Sequence, residues 1–170
     1  MKGNMVRQYI NSIENFSGVV SIKENKHILF EEAFGYADIA NERKNNLNTR
    51  FGIASGAKLL TSIGICKLVE EGKISFDDLL KSFVSSEIYS DDITIKHLLT
   101  HTSGIPDYFD EEVMDDFSEL WIENPMYLLR QPSDFKKLLF KGKMKSKPWE
   151  IFSYNNSGFI VLAMVIERVS

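Results

Sequence analysis

Ser55 and Lys58 stand three positions apart at the head of a helix-forming run, FGIASGAKLLTSIGICKLVEEG, residues 51 to 72. Side chains three or four apart on a helix are neighbours, so the Ser55 hydroxyl and the Lys58 amine are within reach of each other. A serine beside a lysine base is what an activated oxygen nucleophile requires. Ala57, Leu59, Leu60, Ile63, Ile65, Cys66, Leu68 and Val69 leave no wide polar face, which predicts a helix buried on most sides. Lys67 points the other way, so Lys58 does not sit in a shared wet stripe. A lysine withdrawn from water near the positive end of a helix is driven towards its neutral, proton-accepting form.

The pattern occurs twice, which limits what it proves alone. Ser133 and Lys136 follow Pro132, with Phe135, Leu138 and Leu139 on one side and Lys136, Lys137 and Lys141 elsewhere. That spacing predicts an ordinary amphipathic surface helix with Ser133 as its N-cap, and burial is expected to separate the two copies. A second candidate element is Tyr154 with Asn156, just ahead of the apolar run at residues 159 to 169. A tyrosine hydroxyl can relay a proton, and an amide can hold an amine or a carbonyl. Tyr9 and Asn11 repeat this pair in a predicted surface helix, and such pairs more often serve capping and packing. His97 and His101 have metal-ligand spacing if their helix persists, but no third ligand or intervening glutamate accompanies them. They read as structural histidines, and no metal or cofactor is implied.

The elements that must position these residues follow in order. Met5, Val6, Tyr9, Ile10 and Ile13 predict a short opening helix. Residues 17 to 24 and 27 to 36 are β-rich runs joined at Asn25-Lys26, a hairpin signature. Residues 37 to 50 form a polar connection rich in asparagine. After the helix ended by Gly72, residues 74 to 83 predict a strand-like start and a short helix entered through Asp77 and Asp78. Thr94 is the expected N-cap of IKHLLTH, broken by Ser103-Gly104-Ile105-Pro106. Residues 107 to 123 carry eight acids, with Val113, Phe117, Leu120 and Trp121 at helix-face spacing, which predicts an acidic amphipathic helix. Residues 136 to 147 carry six lysines and no acid, a solvated face that can oppose the acidic segment. Residues 152 to 154 read as extended, and Asn156 or Ser157 is the expected cap of the last helix.

Composition excludes several classes. The chain has 170 residues, 44% of them hydrophobic and 26% charged, with net charge −4, as in a soluble globular protein. That charge offers no general attraction to nucleic acid or an anionic membrane. A single cysteine, Cys66, precludes an internal disulfide and is expected to be a packed thiol. No run approaches the roughly 18 apolar residues of a membrane span. No signal peptide is seen at the start, so the default compartment is the cytoplasm; an extracytoplasmic one follows if a leader has been removed.

Taken together, FGYAD on the hairpin, FGIASGAK, LVEEGKISFDD, ITIKHLLTHTSGIPDY and FSYNNSGFIVLAMVIERVS resemble the serine β-lactamase and penicillin-binding-protein superfamily. The likeness is to its branch of class C β-lactamases, D-alanyl-D-alanine carboxypeptidases and esterases. It implies an α+β fold: the mainly helical portion of a β-lactamase-like domain with an N-terminal hairpin, as a single partial domain over residues 1 to 170. It implies Ser55 as the acylated nucleophile and Lys58 as its base. Tyr154 would then relay the proton, Asn156 would contact substrate, and the Ser55 backbone N–H would form half of an oxyanion hole. His101 and Ser103 fall in a framework signature. Asn155 replaces the serine usual between the Tyr and the Asn.

The resemblance implies as substrate a β-lactam, a D-alanyl peptide or a small ester. The third element of the family, Lys-Thr-Gly or His-x-Gly on a strand, would lie beyond Ser170. The expectation is therefore a piece lacking sheet strands and nearly inactive by itself, able to self-associate through the unpaired hairpin edge. The alternative expectation is a non-catalytic relative that binds a cell-wall-like ligand or a protein partner.

Overall fold

The computed structural model describes residues 2 to 110 and 113 to 170, the side chain of Lys2 excepted. The fold is α+β, in two compact units, Met1–Ile53 and Ala54–Ser170.

The first unit opens with α1 (Lys2–Asn11), followed by an antiparallel hairpin of β1 (Gly18–Glu24) and β2 (His27–Phe34). Its register pairs Gly18 with Phe34 and Glu24 with His27, as the Asn25-Lys26 turn predicts. Asn25 takes φ +53°, which asparagine tolerates better than most residues. The connection expected at residues 37 to 50 is partly ordered instead. β3 (Tyr36–Asp38) and β4 (Arg43–Lys44) form a second small hairpin. Asn45 holds its base by donating from Nδ2 to Ser17 Oγ and to the Phe34 carbonyl, both at 2.8 Å. Among the described residues β1 and β2 have no third strand beside them.

The second unit is helical. Its core is formed by Ile65 and Leu68 of α2 (Ala57–Glu70), Ile95 and Leu98 of α3 (Ile95–Leu99), and Val161, Leu162 and Val165 of α6 (Asn156–Val169), closed by Leu80, Ile93, Ile105 and Leu139. α2 lies against α6 closely enough that a Cβ on Gly64 would meet Ile166 Cδ1 at 2.8 Å. Among the described residues only that side of α2 is covered. Leu59, Leu60 and Ile63 are more than half exposed, and Cys66 is an exposed free thiol rather than a packed one. A helix of apolar composition is thus buried on one side only, because composition counts apolar residues but neighbours decide which are covered.

Three further expectations are corrected. Among the described residues the acidic stretch after Asp107 forms no long helix: the N–H groups of Val113 and Met114 turn back to the Asp110 carbonyl, Phe117–Glu119 is a 3-10 turn and α4 (Leu120–Glu123) a single helical turn, and Val113 is exposed. Its carboxylates are drawn elsewhere, Asp110 to Lys145 at 2.7 Å and Asp107 to the start of α6, and those contacts outweigh local helix propensity. Glu111 and Glu112 of that prediction lie outside the described residues. Ser133 is not an N-cap. Asp134 closes that turn by accepting from the N–H groups of Arg130 and Gln131, at 2.9 and 3.1 Å, ahead of the single turn of α5 (Lys136–Leu139). After Ile74, Asp78 accepts from the Ser75 N–H, and Leu80–Ser82 forms one 3-10 turn. Thr94 caps α3 as expected, its Oγ1 accepting from the His97 N–H, and the helix ends at Leu99, before His101. Among the described residues no helix is long and apolar enough to cross a membrane.

Candidate active site

Ser55 lies in the 3-10 turn Ala54–Gly56 that leads into α2. Ala54, immediately before it, has φ +42°, a region that residues with a Cβ seldom adopt. The turn leaves Ser55 exposed at the helix head, while Lys58, one turn on, is half-buried.

The second half of the site hangs on α6. Asn155, 4% exposed, is its N-cap: Oδ1 accepts from the Gly158 N–H at 2.8 Å. Its Nδ2 donates to the Ile105 carbonyl at 2.8 Å, and its backbone N–H donates to His101 Nδ1 at 3.0 Å. One residue thereby ties the helix to two points of the loop after α3, which explains an asparagine where a shorter serine would make fewer of these bonds. The loop turns at Gly104, with φ +68°, where a Cβ would lie 2.2 Å from the Ser146 carbonyl oxygen. Backbone bonds from Trp149 N–H to Thr102 O and from Ser153 N–H to His101 O, each 2.9 Å, carry the chain alongside it to Tyr154.

Tyr154 and Asn156 flank the cap and reach the same point. The Tyr154 hydroxyl donates to Ser55 Oγ at 2.8 Å, and Lys58 Nζ donates to Ser55 Oγ at 3.0 Å. Lys58 Nζ also donates to Asn156 Oδ1 at 2.8 Å and lies 4.8 Å from the centre of the Tyr154 ring, a cation–π distance. The four residues singled out from sequence therefore meet, across separations of up to 99 positions. Ser133 joins no such cluster. What distinguishes the two Ser-x-x-Lys copies is convergence with Tyr154 and Asn156, rather than burial of the α2 helix.

His101 packs against the Tyr154 and Phe159 rings, with centroids at 4.7 and 5.2 Å. Burial, reinforced by the Lys58 charge, holds its imidazole below the ordinary range, against a smaller opposing pull from Asp107. A neutral His101 suits its structure, because Nδ1 must keep a lone pair for the Asn155 N–H. His97 is likewise lowered, chiefly by burial, and its Nδ1 accepts from the Thr94 N–H at 2.9 Å. The two histidines serve separate backbone bonds. Among the described residues no cluster of three metal-ligating side chains occurs.

A cavity of about 600 Å³ opens beside Ser55 and Lys58. Its walls include Tyr108, Phe109, Phe117, Phe135 and Phe159, with Arg130 among the few charged groups. Burial, with the nearby Asp107 charge, pushes the Tyr108 phenol up to about 12, so it remains protonated.

Asp107 is the site residue that sequence reasoning missed, having been counted with the acidic run. Pro106 ends the run before it but is compatible with a helix starting after it, so no local signal marked Asp107 as a loop carboxylate.

Fold and site together define a protein of the serine β-lactamase and penicillin-binding-protein type. The Beta-lactamase family model matches residues 4–170, and the chain belongs to that family. It is 32% identical over 157 residues to Penicillin-binding protein 4* of Bacillus subtilis (strain 168), covering 91% of this chain and 33% of that protein. With Putative penicillin-binding protein PbpX of the same strain it shares 31% over 169 residues, 99% of this chain and 39% of the relative. The solved penicillin binding protein from Bacillus halodurans matches with a TM-score of 0.86 at 46% identity, covering 98% of this chain and 49% of that one. The chain thus spans a third to a half of the length of these proteins.

Proposed function

We propose that this chain supplies the nucleophile-bearing part of a serine hydrolase that works through an acyl-enzyme. The observation that carries the reading is the convergence of Lys58 Nζ and the Tyr154 hydroxyl on Ser55 Oγ, at 3.0 and 2.8 Å. In its neutral form Lys58 takes the Ser55 proton as Oγ attacks a carbonyl carbon; Tyr154 passes a proton to the leaving group and is itself reprotonated from the Lys58 ammonium so formed. Water then attacks the ester formed on Ser55 and releases the acid. The Ser55 backbone N–H stabilises the developing oxyanion, and its companion donor would come from a segment corresponding to the portion of the longer relatives that this chain does not span. Loss of one such donor typically costs about a hundredfold or more, so the 170-residue chain alone is expected to turn over poorly.

The substrate classes are a β-lactam, a D-alanyl peptide or a small ester. The aromatic lining of the cavity supports substrates with a bulky apolar group. The test is to treat the full-length protein with a fluorescent penicillin and with a fluorophosphonate, then locate adducts by mass spectrometry. Label on Ser55, abolished by Ser55→Ala, is the expected result. A folded protein unlabelled by either probe would overturn the reading in favour of a non-catalytic ligand-binding relative.

A further inference from the structure

His101 follows α3 by two residues and holds the segment that carries Tyr154 at three points. Its carbonyl accepts from the Ser153 N–H at 2.9 Å, and its Nδ1 accepts from the Asn155 N–H at 3.0 Å. Between those two bonds its ring packs against the Tyr154 ring, with centroids 4.7 Å apart. Phe159 at 5.2 Å and Phe152 at 5.8 Å complete an aromatic wall about the half-buried imidazole. His101 makes these contacts from φ +56°, a left-handed backbone that few residues with a Cβ adopt. Such a conformation persists only where the surroundings impose it, and it gathers at functional sites. The Tyr154 hydroxyl so held donates to Ser55 Oγ at 2.8 Å.

The hold depends on a proton count. Nδ1 accepts only while it keeps its lone pair; in an imidazolium both ring nitrogens donate, and Nδ1–H would oppose the Asn155 N–H. Charged groups reach the ring from two sides. Lys58 of α2, whose Nζ lies over the Tyr154 and Phe159 rings at 4.8 and 5.8 Å, disfavours a second positive charge. Asp107, in the loop after α3, favours it more weakly, and burial weighs most, against the charge. We infer that neutral His101 is the positioning residue that sets the Tyr154 hydroxyl on Ser55 Oγ, and that protonating His101 releases Tyr154 and slows acylation. This rests on the hydrolase reading and adds to it a control of the proton relay by a side chain that touches neither substrate nor nucleophile.

The test measures the first-order rate of Ser55 labelling by a saturating fluorophosphonate, in full-length protein, from about pH 8 to about pH 4.5. Protonation of Lys58 lowers this rate in every variant, so Tyr154→Phe, which has no hydroxyl to misplace, serves as the reference. Below about pH 6.5 wild type should fall more steeply than Tyr154→Phe, by a further tenfold or so at the acid end, the scale of a displaced catalytic group. His101→Asn places an oxygen acceptor where Nδ1 stands, tolerates the left-handed backbone and does not titrate. His101→Leu has the same branched shape without the acceptor. The Asn variant should label at least about tenfold faster than the Leu variant at about pH 7.5 and lose the extra acid fall, which a merely structural role would not produce.

Parallel acid limbs for wild type and Tyr154→Phe, or folded Asn and Leu variants that label equally fast, overturn the proposal. Should the His101 variants fail to fold, the His101 ring-nitrogen and Tyr154 ring-proton resonances of wild type decide. A neutral ring with Nδ1 unprotonated at about pH 7.5, and Tyr154 signals that shift as His101 takes up its proton, support the hold. A charged ring at that pH, or Tyr154 signals indifferent to the titration, refute it. Absence of any labelling of wild type sinks the hydrolase reading instead, and the same resonances then judge the hold of His101 on Tyr154 alone.

Discussion

Replacing Asn155 by alanine separates the two jobs its side chain performs. The first is the cap: Oδ1 accepts from the Gly158 N–H at 2.8 Å, and loss of such a cap costs about 1 kcal/mol. The second is the bond from Nδ2 to the Ile105 carbonyl at 2.8 Å, in a residue only 4% exposed. Removing that donor leaves a buried acceptor unsatisfied, at a further cost of about 1–3 kcal/mol. The backbone N–H to His101 Nδ1 survives the change. Asn155→Ala should therefore destabilise by about 2–4 kcal/mol, a fall in Tm of roughly 6–15 °C for a unit of this size. Asn155→Ser keeps a capping oxygen but is too short to serve Ile105 as well, so its cost should be the smaller, about 1–2 kcal/mol. Urea titrations followed by far-ultraviolet circular dichroism and by Trp121 and Trp149 fluorescence measure both. An alanine variant within about 0.5 kcal/mol of wild type, or a serine variant as unstable as alanine, would refute this account of the cap.

Three other outcomes follow from the same geometry. Tyr154→Phe removes the hydroxyl 2.8 Å from Ser55 Oγ but keeps the ring packed against His101; fluorophosphonate labelling of Ser55 in full-length protein should slow by about a hundredfold or more, with Tm nearly unchanged, while Ser133→Ala labels as wild type. Gly104→Ala should destabilise by about 2 kcal/mol or more, because φ is +68° and the new Cβ would lie 2.2 Å from the Ser146 oxygen; an unchanged urea midpoint would contradict the packing. His97 and His101 are both held below the ordinary imidazole range, chiefly by burial, so the unfolded chain binds these protons more readily than the folded one. Stability should be greatest above the ordinary imidazole pKa and decline as pH falls through it towards the lower folded values, with a lower urea midpoint at about pH 5.5 than at about pH 7.5. A midpoint that rises on acidification would count against neutral histidines.

The family was legible in sequence because its signals are local in kind. Ser-x-x-Lys at a helix head, Thr94 before a helix, Gly104 ahead of Pro106, and Asn25-Lys26 between β-rich runs are each dictated by backbone chemistry within a few residues. So was the presence of Ser55, Lys58, Tyr154 and Asn156 as chemically able groups. Less legible was anything that depended on who covers whom. The apolar count of α2 predicted burial all round, yet Leu59, Leu60 and Ile63 face outwards, since periodicity cannot say whether a neighbour exists. The acidic segment read as one helix because spacing was its only evidence; Lys145 and the head of α6 claim its carboxylates instead.

Sequence alone thus singled out Ser55, Lys58, Tyr154 and Asn156 and some local turns and caps, Thr94 among them, because those follow from short-range sterics and hydrogen bonding; for the last helix it offered Asn156 or Ser157 as the cap, where Asn155 serves. Only the tertiary structure decided that Tyr154 meets Ser55 across 99 positions, and that Asp107 holds the Asn156 amide with its oxygen towards Lys58. Those relations come from how α2, α6 and the loop after α3 pack, and an amide has no preferred direction until the groups on either side of it are in place.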